Sequence, residues 1–172
     1  MMMYHGVQMN NLTNLFNSPM EAGLRSLIIL EAGYPHSYDI ARLVIYDYLL
    51  VHSGDIRGGP DSIHPDTPHR SGEMLIKRPV LESGIKNMMA KGLIKSNYSE
   101  HGITYVATEA SSPFLDSLQA DYTRRLMVIA DWVTTNFDEV SVDELNSYAN
   151  RHLGVWGGEF INESIVRGDV FS

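Results

Sequence analysis

The chain has 172 residues, no cysteine and a net charge of −8. That length suits one domain, or one domain with a helical extension, and it buries a core without staples. The missing cysteines exclude a disulfide framework, a thiolate metal site and a thiol nucleophile, and the acidic total argues against a protein that lives on nucleic acid.

Residues 1–17 are polar and Asn-rich and read as a loose N-terminal arm with no signal peptide. In SPMEAGLRSLIILEAG, Ser18 and Glu21 form a capping box and Pro19 takes the first helical position. The pattern predicts a helix with Met20, Leu24, Leu27 and Ile28 on its inner face, stopped by Gly33. YPHSYDIARLVIYDYLLVHSG reads as a second helix with Ser37 as its cap and Ile40, Leu43, Val44 and Val51 at helical spacing. It is too long for one strand. Asp47, inside VIYDYLL, is expected on the exposed polar side of that helix rather than as a charge facing a partner.

The stretch HSGDIRGGPDSIHPDTPHR then holds three histidines, three aspartates and three prolines. His52, Asp55, His64, Asp66 and His69 are the residue types that ligate metals. Their spacing matches no known cage, and a metal site needs ligands held by firm supports. The favoured reading is an ordered loop, with Pro60, Pro65 and Pro68 limiting its freedom and Asp61 and Asp66 starting turns. A DNA-reading helix-turn-helix joins its helices by a turn of ~3–4 residues, and loops much longer than that inside compact domains are usually functional or disordered. The insert, residues 53–76, is therefore read as a structured docking surface, with His52, Asp55, Ile63, His64, Pro65, His69 and Arg70 as its candidate contacts.

KRPVLESGIKNMMAKG predicts a third helix with Pro79 near its start, Gly92 at its end, and Leu81, Ile85, Met88 and Met89 inside. LIKSNYSEHGITYVATEA predicts a hairpin in which Leu93–Tyr98 and Ile103–Thr108 flank a four-residue loop, Ser99 to Gly102, and Ile103, Tyr105 and Ala107 share one face. Helix, helix, helix, hairpin is the order of a winged helix-turn-helix. From Leu115 through Leu118, Tyr122, Leu126, Ile129 and Val133 to Phe137 an apolar stripe predicts one long helix, and Ser141 with Glu144 caps a further one. The expected class is mainly α with a small β-hairpin (α+β). A winged helix-turn-helix core spans 18–110, a long-helix extension 111–153 and a tail 154–172.

Charge is unevenly spread. Residues 70–95 hold 6 basic and 2 acidic side chains, between acidic flanks. Arg70, Lys77, Arg78, Lys86, Lys91 and Lys95 lie around the third helix, the element that enters the major groove in a winged helix. Phosphate contacts, contact with an acidic protein, and a plain solvated face are the three readings of this island. In the extension and tail, Tyr122, Trp132, Phe137 and Trp156 are candidate anchors for a partner, against ordinary core positions. No P-loop, dinucleotide fingerprint or nucleophile elbow occurs, nothing in the chain supports an enzyme, and no catalytic residue, metal ligand or cofactor is assigned.

NSPMEAGLRSLIIL, DYLLVHSGD, SIHPDTPHRSGEM, GIKNMMAKGLI, GITYVATEASSPFLDSL and ADWV together resemble the small middle component of bacterial ABC-three-component systems, and the accessory subunit of Lamassu-type antiphage defence. The resemblance covers roughly Phe16 to Phe137. It implies a cytoplasmic winged-helix adaptor that bridges an SMC-like ATPase and holds an effector such as a nuclease, with DNA met inside the complex. Two rivals stand beside it: a winged-helix transcription regulator, and a metal-dependent hydrolase using His64, Asp66 and His69.

Overall fold

The computed structural model describes residues 18–64 and 70–156, with side chains for 18–64 and 77–151. Helix α1 is Pro19–Ala32 and α2 is Ile40–Val51, followed by a single 3₁₀ turn at Ser53–Asp55. Helix α3, Arg70–Ala90, leads into an antiparallel hairpin of β1, Ile94–Ser99, and β2, Gly102–Ala107. Three helices close the described chain: α4 at Ser111–Asp116, α5 at Asp121–Phe137 and α6 at Val142–Trp156. The fold is mainly helical with a two-stranded sheet, the α+β class expected. The expected arm falls outside the described residues, as does the tail beyond Trp156.

Helix α1 starts as its sequence dictates. Ser18 is extended and its hydroxyl accepts the Glu21 amide at 3.2 Å, with Pro19 just inside. Its burial differs from the expectation of one inner face. Leu27, Ile28, Ile29 and Leu30 are all buried in succession, while Met20 is 68 % exposed. A helix apolar all round lies inside the fold, and α1 is packed between α2, α3, α5 and the hairpin. Its contact with α3 is backbone to backbone: a Cβ on Gly23 would lie 2.6 Å from the Gly84 carbonyl oxygen.

Helix α2 is capped by Asp39, not Ser37. The Asp39 carboxylate accepts the Arg42 amide at 2.8 Å, because residues 34–38 are used otherwise. Tyr38 makes a one-residue bridge to Tyr105 on β2, so the chain is still extended there.

Helix α3 begins well before Pro79, which sits inside it. Pro79 removes one amide from the ladder, but the turns on either side of it are both helical. Residues 70–76, expected as loop, are thus helix. Leu81, Ile85 and Met88 are buried and Met89 packs beside them, as the spacing predicts. The hairpin closes more tightly than expected. Ser99 pairs with Gly102, leaving Glu100 and His101 as the turn, and Gly102 holds φ at +112°, which suits glycine.

The single long helix expected from Leu115 to Phe137 is two helices. Ala120 is extended (ψ 134°) and starts α5, while the Ser117 amide bonds back into α4. The break lets Leu115 and Leu126 both reach the core from different directions. Ser141 caps α6 through the Glu144 amide at 3.1 Å. Among the described residues no helix is long and apolar enough to cross a membrane.

Candidate functional site

The polar residues of the fold converge on one buried centre. Asp47 of α2 is 0 % exposed, Arg25 of α1 is 1 % and Lys77 of α3 is 4 %. Arg25 Nε donates to Asp47 Oδ1 at 2.6 Å and Nη2 to Oδ2 at 3.3 Å, a forked pair. Lys77 Nζ donates to Oδ2 at 2.7 Å. One carboxylate thus joins three helices. Burial alone would raise the Asp47 pKa, but Arg25 and then Lys77 outweigh it and hold the carboxyl well below the usual carboxylate range. Burial likewise opposes the charge of Arg25, and Asp47 more than restores it.

These positions correct two expectations. Asp47 is not on an exposed face, because its helix is covered all round. Lys77 does not belong to a surface basic island, because its ammonium is committed to Asp47.

The centre continues into the insert. Arg25 hydrogen-bonds Tyr122 of α5, and the Tyr122 hydroxyl lies 3.0 Å from His64 Nε2. His64 is buried, and its amide returns to the Val51 carbonyl at the end of α2. Burial first, then the positive charge of Arg25 and Lys77, pushes its pKa down to about 4. The ring is neutral at pH 7. His52 is fully buried, packed between Tyr48 and His64 with ring centroids 4.9 and 6.2 Å away. Tyr48 donates to Asp55 at 2.8 Å. The first half of the insert is therefore a closed loop, latched to the core. Ser62 Oγ accepts the Gly54 amide across its mouth, and Gly59 packs against Ser53 and Trp132.

His52 and His64 are accordingly internal, which corrects their reading as docking contacts. Asp55 and Ile63 are half-buried beside them. Pro65 and His69 lie outside the described residues, and so do the side chains of Arg70 and Trp156. Of the hydrolase set, Asp66 and His69 also lie outside the described residues. Among the described residues no cluster of three or more His, Asp or Glu could hold a metal. Tyr122, Trp132 and Phe137 are half-buried against the core. Trp132 meets Phe137 edge-on at 5.9 Å, and Phe137 meets Tyr148 at 6.0 Å.

A second polar network ties α2 to the end of α5. Tyr38 and Tyr46 donate to the two oxygens of Asp138 at 2.7 and 2.8 Å. Burial and then Asp138 push both phenols well above their ordinary range. Arg42 donates to Tyr46 and to the carbonyls of Phe137 and Val140, a cation at the C-terminal end of a helix.

The surface keeps Arg78, Lys86, Lys91 and Lys95 exposed, with Arg78 paired to Glu82 at 3.1 Å. Tyr98 is 77 % exposed opposite Ile103, itself 45 % exposed, near the hairpin tip. An open cleft of about 590 Å³ lies at the base of the hairpin, between Lys95 and the Tyr34–Pro35 corner.

Sequence reasoning passed over Arg25. The signal was present: a lone arginine in LRSLIIL and a lone aspartate in VIYDYLL, each inside an apolar run, are charges that must find one another if both helices are buried.

A family model described as ABC-three component (ABC-3C) system Middle Component 2 matches residues 15–159. No curated protein matches the chain. No solved structure matches it.

Proposed function

The chain belongs to the ABC-three component (ABC-3C) system Middle Component 2 family, which makes it one part of a multi-subunit defence system with protein partners, and on that premise we propose that it is a non-catalytic adaptor. In this reading it bridges an SMC-like ATPase and an effector, such as a nuclease, in a bacterial antiphage or anti-plasmid complex in the cytoplasm. In this reading its role is like that of the accessory subunit of Lamassu-type defence. The observation that carries the reading is the reach of the family match, which takes in α1 to α6 and the hairpin alike. The state of the polar residues supports it. Among the described residues Asp47, Arg25, Lys77, His52 and His64 are internal, which favours a subunit that offers its partners surface rather than reagents.

The core is read as a winged helix. The order α1, Tyr38 bridge, α2, α3, β1, β2 supports this, with the bridge standing where such a domain carries its first strand. That arrangement also favours a second reading, a DNA-binding transcription regulator using Arg78, Lys86, Lys91 and Lys95. The loss of Lys77 to the interior and the net charge of −8 weigh against it.

The deciding experiment is recovery of the tagged chain from its native host at moderate salt, with partners identified by mass spectrometry. Recovery of a large coiled-coil ATPase is the expected result. Recovery of the chain alone with DNA fragments sinks the adaptor reading and leaves the regulator.

A further inference from the structure

The hairpin is paired on one side and open on the other. Tyr105 donates its amide to the Tyr38 carbonyl at 2.8 Å and accepts the Tyr38 amide at 2.9 Å. Both backbone groups of Tyr105 therefore point away from β1. Ser96, directly opposite, must then form a non-hydrogen-bonded pair with it. Because antiparallel pairs alternate, the amides and carbonyls of Ser96 and Tyr98 point outward from the free side of β1. Among the described residues no backbone hydrogen bond from outside the ladder reaches either one.

Side chains on β1 divide between two faces. Lys95 and Asn97 line the open cleft of about 590 Å³ together with Tyr34, Pro35, Val106 and Glu109. Tyr98 stands on the other face beside Ile103.

We propose that the outer edge of β1 is a docking strand for an extended segment of a protein partner, with an acidic side chain set to meet Lys95 and an apolar one to lie on Tyr98. This rests on the adaptor reading and supplies its mode of binding. Main-chain pairing at a sheet edge provides affinity, and flanking pockets for alternate side chains provide selectivity. Lys95 fixes the sign of the partner. Glu109 in the same cleft limits the acid to that one position. A second copy of this chain fits less well, because β1 reads IKSNYS and brings no carboxylate to Lys95. A lysine on an open edge also deters unselective strand pairing, so one residue both rejects and selects.

The test uses the full chain co-expressed with the other components of its system and recovered through a tag. Ser96→Pro removes an outward amide and spares the ladder bonds of Lys95 and Asn97, so the hairpin is retained. Lys95→Glu reverses the selecting charge. Both variants should melt within a few degrees of wild type and recover roughly tenfold less partner. Amide exchange at Ser96 and Tyr98 should slow by at least about tenfold in the wild-type complex relative to the free chain, a readout independent of either variant. Normal recovery with Ser96→Pro and unchanged exchange at both residues overturns the docking strand while the adaptor reading stands. A wild-type chain that recovers no component overturns the adaptor reading itself. A homodimer that Ser96→Pro dissolves gives the edge to a second copy and overturns the acidic partner.

Discussion

Removing the Asp47 carboxylate is the sharpest test of how this fold is held. In Asp47→Ala, Arg25 and Lys77 stay buried but lose the oxygens they share, at 2.6 and 2.7 Å. Breaking a buried ion pair by deleting one partner costs about 3–5 kcal/mol, because the remaining charge stays out of water. Here one deletion takes the carboxylate from two buried cations at once, so the upper half of that range applies. A domain stability of about 5–15 kcal/mol would be cut by roughly a quarter or more. With a urea m-value of about 2 kcal/mol/M, a loss of 4 kcal/mol moves the midpoint down by about 2 M, readable by circular dichroism. The triple variant Arg25→Met, Asp47→Leu, Lys77→Met removes all three charges together. It should recover most of the loss, since replacing a whole buried ionic group by apolar residues is often neutral or stabilising. An Asp47→Ala variant that loses under about 1 kcal/mol refutes the reasoning, because it would mean that water reaches the centre.

Other changes probe separate parts of the same fold. His64 has a folded pKa of about 4 against an ordinary 6.5, so the unfolded chain takes the proton first. Stability should be full above about pH 6.5 and fall toward pH 4, by about 2 kcal/mol after discounting for solvent screening; His64→Phe should flatten that slope, and an unchanged slope would refute it. Gly84→Ala puts a methyl into the backbone of Pro19 and Gly23. It should cost about 1–3 kcal/mol and several degrees of melting temperature, whereas a neutral result would mean that α1 and α3 do not touch. Asp138→Ala removes the acceptor of both Tyr38 and Tyr46, with an expected loss of about 1–3 kcal/mol in urea unfolding. If the basic island meets DNA, its four exposed cations among the described side chains, Arg78, Lys86, Lys91 and Lys95, contribute about −3.6 to the slope of log affinity against log salt. A slope much steeper than that requires cations beyond these four.

What the sequence made legible was local. The two Ser–Glu capping boxes at Ser18 and Ser141, the inner face of α3 and the hairpin all follow from residues close to one another in the chain. What it hid was set by tertiary contact. The apolar period of α1 names one face, but neighbours on every side bury the others too, and only packing decides that. Pro79 looks like a helix start because proline is at home there. The turn before it is helical nonetheless, and in that turn Lys77 reaches across to Asp47. The stripe from Leu115 to Phe137 keeps helical spacing across Ala120, where the backbone bends without glycine or proline to mark it. Asp47 reads as a surface charge until Arg25 and Lys77, 22 residues before and 30 after, are brought beside it.

These contacts also change what a partner can meet. The histidine-rich insert looked like the docking surface because it is long and rich in residues that make good contacts. Its described half is instead spent on holding itself down. His52 and His64 fill the space beneath α5, and Tyr122 links His64 to the charge centre. His52 and His64 are thereby committed inside the chain, while Arg57 and Asp61 of the same loop stay exposed. Trp132 and Phe137 are half-buried and already stacked edge-on at 5.9 Å, so part of each ring is matched inside the chain. The hairpin holds groups able to form new bonds without breaking old ones: the outward backbone of Ser96 and Tyr98, the exposed ring of Tyr98, and Lys95. A subunit binds a partner at low cost where its own fold is incomplete, and among the described residues the open edge of the two-stranded sheet is such a place.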